Sequence, residues 1–259
     1  MFTIIVPTHD RPLLLRRALQ SLIDQSFRDF KVVVVDDSAS YIPPYTELKA
    51  LHGRCTYVIQ SGLIGPAESR NIGLTLADTP YVMFLDDDDS YEPEHLQALS
   101  QRIGKGKPEL LFCDFKVCNE DRTQNPPLQL STFAVSIAQV DANSTYVRNR
   151  IPNSCLIYRS DIVTKVRYNT ALRIYEDWDF LLKCLKKRQL VHVPISSVVI
   201  HKSEATAPEN LRRGNTRDDL IAEVMLEIYK KFTAPNMATR LARQALMASA
   251  GVELPIDRF

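Results

Sequence analysis

No run of roughly eighteen consecutive apolar residues occurs in the 259-residue chain, so a membrane-spanning helix is not expected. Net charge is nearly absent as well. At +1, no global field draws the protein to nucleic acid or to an anionic bilayer, and nucleic acid is not an expected partner. Paired cysteines are missing: the five are odd in number and contain no Cys-x-x-Cys. Reduced, mostly buried thiols in a reducing compartment are the simplest account, which points to the cytoplasm. The N-terminus lacks a basic stretch before its first apolar run, which stops at Pro7. It reads as a first strand and not as a signal peptide. Internal repeats and low-complexity tracts are also lacking. What remains is a chain with 45% hydrophobic and 24% charged residues, long enough to bury a sizeable core. One α/β domain with an appendage fits this length.

The chain is organised around Val82-Met83-Phe84-Leu85-Asp86-Asp87-Asp88-Asp89. The apolar part is too short for a helix and follows Pro80, so it reads as a buried strand. Four carboxylates sit where that strand leaves the sheet. They repel one another and raise each other's pKa unless a cation shares them. Asp oxygens are hard ligands suited to Mg²⁺ or Mn²⁺. A solvated acidic turn is the plainer reading of a charge run. A strand end in an α/β sheet favours the ligand site, because ligands bind there.

Phe2 to Val6 reads as a strand, and Pro7-Thr8-His9-Asp10 as a loop whose Asp10 can cap the next helix, with Pro12 in its first turn. Leu15, Ala18, Leu19 and Leu22 recur at helical spacing. Lys31 to Val35 is a β-branched run, as in a strand buried on both faces, and it ends in Asp36-Asp37-Ser38. A weak helix within Tyr41 to Leu51, a strand at Tyr57 to Ile59, a loop at Gly62 to Pro66 and a helix at Glu68 to Ala77 precede the acidic strand. Pro93 to Ile103 reads as a helix and Glu109 to Val117 as a strand. This alternation argues for a mainly parallel sheet with right-handed crossovers. Asn119 to Asn149 has no clear pattern. Ser154 to Tyr158 reads as a strand and Asp161 to Val166 as a short helix. Glu176-Asp177-Trp178-Asp179 precedes a helix over Phe180 to Lys187. Leu190 to Val193 and Ser197 to Ile200 read as two short strands, followed by His201. Helices over Asp218 to Phe232 and Met237 to Ala250 form a tail.

Two acidic clusters, Asp36-Asp37 and Asp86 to Asp89, end strands of the alternating half and face one crevice. Arg70 offers a fork of donors suited to phosphate oxygens, although a helix Arg is commonly a surface group. Glu176-Asp177 either caps a helix or supplies a general base over a substrate hydroxyl. His201 either ligates a metal or is an edge histidine.

In this order, Ile4-Ile5-Val6-Pro7-Thr8, Gln25-Ser26-Phe27, Val34-Val35-Asp36-Asp37-Ser38, Arg70-Asn71-Ile72-Gly73, Phe84 to Asp89 and Glu176-Asp177-Trp178-Asp179-Phe180 resemble the family 2 glycosyltransferases of the GT-A fold. The resemblance spans Phe2 to about His201. It implies a Rossmann-like α/β sandwich, a nucleotide-sugar donor, Mn²⁺ or Mg²⁺, and transfer with inversion. A UDP-sugar is the expected donor. By this similarity Pro7, Thr8, Asp10 and Asp37 lie around the nucleoside. Arg70 and Asp86 lie on the nucleotide side, and Asp87 meets the ribose. Asp86 and Asp88 form the family's Asp-x-Asp, with Asp88 the direct metal ligand and His201 a second group near the metal. Asp177 matches the catalytic base. The Gln-x-x-Arg-Trp element of processive members is absent, since the single Trp is Trp178. A single-transfer enzyme of bacterial surface polysaccharide or glycan synthesis follows.

The implied domains are a catalytic unit over 1–203, divided near 118/119 into donor and acceptor halves, and a helical extension over 204–259. Acceptor contacts, to a glycan or lipid-linked hydroxyl, are expected from Asn119 to Asn153 and from the tail. Arg240 and Arg243 with Leu241, Leu246 and Met247 are compatible with a peripheral contact on the inner face of the membrane. Packing of that helix on the main domain or a homodimer partner outranks it. Two alternatives stand beside the transferase. A sugar-nucleotide pyrophosphorylase would carry Gly after its first strand, which Pro7-Thr8-His9-Asp10 lacks. A non-catalytic sugar-nucleotide binding module would have lost the base, and Glu176-Asp177 is intact.

Overall fold

The computed structural model describes residues 1–60, 64–104, 106–203 and 218–259. The loop expected from Gly62 lies partly outside them, and so does the boundary expected at Glu204. The first half alternates β1 (Phe2–Thr8), α1 (Pro12–Ile23), β2 (Phe30–Asp36), α2 (Tyr45–Ala50), β3 (Cys55–Ile59), α3 (Gly65–Leu76) and β4 (Tyr81–Phe84). Then come β5 (Ser90–Tyr91), α4 (His95–Ile103), β6 (Leu110–Asp121) and β7 (Leu128–Val135). The second half adds α5 (Ala142–Thr145), β8 (Leu156–Arg159), α6 (Ser160–Val163), α7 (Glu176–Leu185), β9 (Leu190–Ser203), α8 (Asp218–Lys231) and α9 (Met237–Ser249). Among these residues no helix is long and apolar enough to cross a membrane.

The strands form one sheet in the order β3-β2-β1-β4-β8-β6-β9-β5, with β7 beside β6. The first four strands are parallel to one another: β1 pairs with β2 and β4, and β2 with β3. Every residue of β1 and β4 is buried, as is Val32 to Asp36 in β2, which is why these strands read as continuous apolar runs. Strand order reverses at β1, because β2 lies on one side of it and β4 on the other. A crevice opens at the carboxyl ends of β1 and β4, where α/β sheets bind ligands. Thr8, Asp36 and Asp86 to Asp89 sit there. Beyond β4 the sheet becomes mixed, as β8 runs antiparallel to both β4 and β6.

Three expectations shift. Glu176 and Asp177 do not precede a helix; they form the first turn of α7, where carboxylates favour the dipole. The two short strands after Leu190 are one strand, β9, carried past Pro194 by a register shift against β6. The unpatterned middle contains β7, exposed over nearly its whole length, so no buried face imposed a period on it. All five cysteines are free and four are buried, as expected of reduced thiols.

Gly73 explains part of the Arg70-Asn71-Ile72-Gly73 run. It lets α3 lie close on β1: a Cβ there would stand 2.4 Å from Ile5 Cγ2, and Ile5 is fully buried. Gly73→Ala is expected to destabilise the protein by about 1–3 kcal/mol, even against Ala's better helix propensity. A urea-unfolding midpoint equal to the parent's would show that the packing is looser than this geometry.

Candidate active site

The strand ends bring together the residues expected around a nucleoside. Thr8 Oγ1 donates to Asp87 Oδ2 at 2.8 Å. Asp37 accepts from the Gly65 backbone N–H at 2.8 Å and faces His9 Nδ1 at 2.7 Å, tying the β1–α1 loop to the start of α3. Pro7 is buried within β1, paired with Val35. Asp10 does not cap α1. Its backbone is left-handed (φ 51), Arg11 holds the cap position, and the Asp10 carboxylate accepts from the Ala39 N–H at 3.1 Å. Asp10 thus closes the loop onto the end of β2, satisfying backbone that the turn leaves unpaired.

The four acidic residues have four different surroundings. Asp86 accepts from Arg70 Nη2 at 2.8 Å. Asp87 takes Thr8 and, at 3.3 Å, Arg11 Nη1. Asp89 accepts from Ser154 Oγ at 2.7 Å. The Asp88 carboxylate accepts no hydrogen bond from a described residue; its nearest cations, Arg11 and Arg122, stand 3.6 Å away. Burial pushes the Asp87 carboxyl up to about 7, helped by Asp88 and Asp86 and opposed by Arg11 and Thr8.

Asp88 therefore fits a hard divalent cation, because it offers oxygen donors that no internal hydrogen bond has taken. His201 is placed otherwise. One ring nitrogen meets Ser90 Oγ at 2.9 Å and the other Glu120 Oε2 at 3.1 Å. His201 joins the Asp88 neighbourhood only through Glu120 and Arg122. Ligand atoms of Cys118, Glu120 and His201 lie within 4.8 Å of one another. Glu120 already carries Arg17 at 2.7 Å and Arg122 at 2.6 Å, so this cluster is an ion-pair network with no charge left for a cation. Burial would raise the Glu120 carboxyl; hydrogen bonds from His201, Arg17 and Arg122 outweigh it and hold it down at about 2. Sequence reading missed Arg11, Arg17, Glu120 and Arg122. Arg17 and Glu120 lie 103 residues apart, and no local pattern joins them.

At the other end of the cleft, Tyr175 is left-handed (φ 61) and turns the chain into α7. Asp177 Oδ1 accepts from the Trp178 N–H at 2.7 Å, and Oδ2 from Asn149 Nδ2 at 3.3 Å. Burial first and Glu176 second push the Asp177 carboxyl up to about 7, while Arg70 pulls the other way. As a whole residue Asp177 is half-buried. Arg70 is buried, and its terminal nitrogens are both engaged, by Asp86 at 2.8 Å and Glu176 at 2.9 Å. It bridges the acidic strand end and the first turn of α7 instead of presenting a free fork.

The tail completes this end. Arg243 is fully buried and Met247 nearly so, which removes both from the outward face expected for membrane contact. Arg243 donates to the backbone carbonyls of Tyr146 and Phe232, and Lys231 pairs with the buried Asp179 of α7. Packing on the main body is the outcome.

Glu120→Gln leaves Arg17 and Arg122 without their shared charge. A loss on the order of 3 kcal/mol is expected at pH 7. Because the folded carboxyl is depressed, its contribution is present above the ordinary carboxylate range and fades as pH falls toward 2. The gap between parent and variant should shrink between pH 5 and 3 in urea melts; a gap independent of pH would refute the ion-pair account.

Comparison with known proteins agrees with this fold. The model of "Glycosyl transferase family 2" matches residues 3–166. An uncharacterized glycosyltransferase of Haemophilus influenzae is 26% identical over 241 residues, covering 89% of this chain and 78% of its own length. The succinoglycan biosynthesis protein ExoW of Rhizobium meliloti is 29% identical over 203 residues, 71% of this chain and 63% of the relative. In structure, residues 1–349 of S. aureus TarS, solved with UDP-GlcNAc, match with a TM-score of 0.69 at 20% identity. That match covers 95% of this chain and 71% of that one and speaks to the fold. With a curled, mostly parallel α/β sheet of the GT-A kind and a family match over more than half its length, the chain belongs to glycosyl transferase family 2.

Proposed function

We propose that the protein transfers one sugar per encounter from a UDP-sugar to an acceptor hydroxyl, with inversion, in the synthesis of a bacterial surface polysaccharide or glycan. The observation that carries this reading is the place of Asp177 in the first turn of α7, beside Glu176, which Arg70 ties to the acidic end of β4; burial and Glu176 raise its carboxyl. A relative named for succinoglycan biosynthesis supports the polysaccharide assignment, and the UDP-GlcNAc complex of TarS supports a uridine donor.

In this reading Pro7, Thr8, Asp10 and Asp37 surround the nucleoside, and Asp86 and Asp87 lie on the ribose and diphosphate side. Asp88 holds Mn²⁺ or Mg²⁺, which supplies charge stabilisation for the departing diphosphate. His201 and Arg70 act from behind, through Glu120 and Asp86. Asp177 takes the proton from the acceptor hydroxyl as its oxygen bonds to the anomeric carbon, and the bond to the diphosphate oxygen breaks on the opposite face. One displacement inverts that carbon. A double displacement needs a second carboxylate free to act as nucleophile, and Glu176 is held by Arg70.

Asp177→Asn keeps the size but cannot take a proton. Its transfer rate should fall by about 10²–10⁴-fold, with metal and UDP affinity little changed. Asp88→Asn should weaken metal and donor binding together, and Glu176→Gln should be milder than Asp177→Asn. Because the base works deprotonated, kcat/KM of the parent should rise with pH through about 7 and then level. Single-turnover transfer at saturating donor separates these cases. Normal turnover in Asp177→Asn, or equal UDP affinity with and without chelator, would sink the corresponding part of the reading.

A further inference from the structure

α5 is a single turn and stops after Thr145. The carbonyls of Thr145, Tyr146 and Val147, which a longer helix would have paired, receive side chains instead. The Trp178 indole Nε1–H donates to Thr145 O at 2.8 Å, the Arg243 Nε–H to Tyr146 O at 2.9 Å, and the Tyr229 hydroxyl to Val147 O at 2.6 Å. The donors come from α7, α9 and α8, and they pack as one buried cluster. The Trp178 and Tyr229 rings meet edge to face with centroids 6.0 Å apart, and the Arg243 guanidinium lies 4.2 Å from the centre of the Tyr229 ring.

Asn149 follows this pinned backbone. Its Oδ1 accepts from the Ile151 N–H at 3.0 Å. That bond sets the orientation of the amide, so Nδ2 is the end that meets Asp177 Oδ2, at 3.3 Å. The other oxygen of the carboxylate accepts from the Trp178 N–H. A carboxylate with a donor on each oxygen has a fixed plane, and the plane decides which lone pairs meet an incoming hydroxyl. A contact of 3.3 Å from a half-buried side chain on irregular backbone does not hold that plane unless the backbone is itself held.

We propose that α8 and α9 are a positioning device for the base: Tyr229 and Arg243 fix the turn, the turn fixes Asn149, and Asn149 fixes the plane of the Asp177 carboxylate. The proposal rests on the reading of Asp177 as the base. Asn149, Tyr229 and Arg243 are positioning residues in it, since each acts through another group. Trp178 belongs to both halves of the device: its backbone holds one oxygen of the carboxylate, and its indole helps to hold the turn that reaches the other. The charged and titratable groups acting on Asp177 are Glu176 beside it, Arg70 of α3, Asp86 after β4, and the hydroxyls of Tyr158 in β8 and of Tyr168. Arg148 and Arg150 flank Asn149 on the turn.

The test is a ¹³C NMR titration of the aspartate carboxyl carbons in the full chain, with Asp177→Asn identifying the Asp177 signal. Asn149→Ala removes a donor that favours the ionised form, so the midpoint should rise above the parent's value of about 7 by roughly half to one pH unit. Tyr229→Phe keeps the ring and loses only the hydroxyl that bonds Val147, yet it should move the Asp177 midpoint in the same direction. Added to Asn149→Ala, it should move the midpoint no further. Gln244→Ala loses a bond inside the tail, to Leu254 O at 2.9 Å, and should leave the midpoint at the parent's value. An unmoved midpoint in Tyr229→Phe, or its full effect persisting on top of Asn149→Ala, would overturn the path through the turn. An equal rise in Gln244→Ala would overturn it in favour of general loosening of the tail. Hydrolysis of UDP-GlcNAc with Mn²⁺, in which water takes the acceptor's place, checks the base separately: its kcat/KM inflection should follow the carboxyl midpoint in every variant. An inflection that stays while the midpoint moves would strike the base reading and leave the positioning of the carboxylate standing.

Discussion

Arg70 is the cation on which the cleft depends. It is buried, with its guanidinium over the Tyr168 ring, and it carries two carboxylates from distant parts of the chain. A buried ion is expensive unless it is paired and hydrogen-bonded, so Asp86 and Glu176 are drawn to it and to one another's vicinity. The end of β4 and the first turn of α7 are thereby held at a set separation. The spacing of these two carboxylates is a consequence of that bridge.

The same constraint governs the neighbouring charges. Asp87, Asp88 and Glu120 are nearly buried, and Arg11, Arg17 and Arg122 converge on them. The arginines do not serve the carboxylates equally. Glu120 takes two short contacts and stays ionised far into acid, whereas Asp88 receives none closer than 3.6 Å. Unequal pairing is what separates a structural carboxylate from one left available to a ligand. Asp177 follows the same logic: its neighbour Glu176 takes the arginine, and Asp177 is left with a raised pKa.

The C-terminal helices act on this end of the cleft through the backbone. Tyr229 and Arg243 hold the turn that also receives Trp178, so the loop carrying Asn149 is fixed from three sides. Backbone carbonyls at an irregular turn have no ladder to satisfy them, and here side chains of the tail and α7 do so. The tail therefore helps to hold the turn that carries Asn149.

Local chemistry made much of this legible in advance. Buried apolar runs marked β1, β2 and β4, and the acidic residues after β2 and β4 marked the crevice, because strand burial and sheet alternation depend only on nearby residues. Thr8, Asp37, Asp86 to Asp89 and Asp177 could be singled out for the same reason: each stands at the end of a readable element. The sequence by itself thus determined the alternating α/β plan and which strand ends carry clustered carboxylates. Only the tertiary structure decided how the charges are shared. Arg70 and Glu176 lie 106 residues apart, Arg17 and Glu120 lie 103 apart, and His201 turns to Glu120 from another strand. Pairing of buried charges is set by distance in space and by desolvation, and neither is written in the local pattern of a chain.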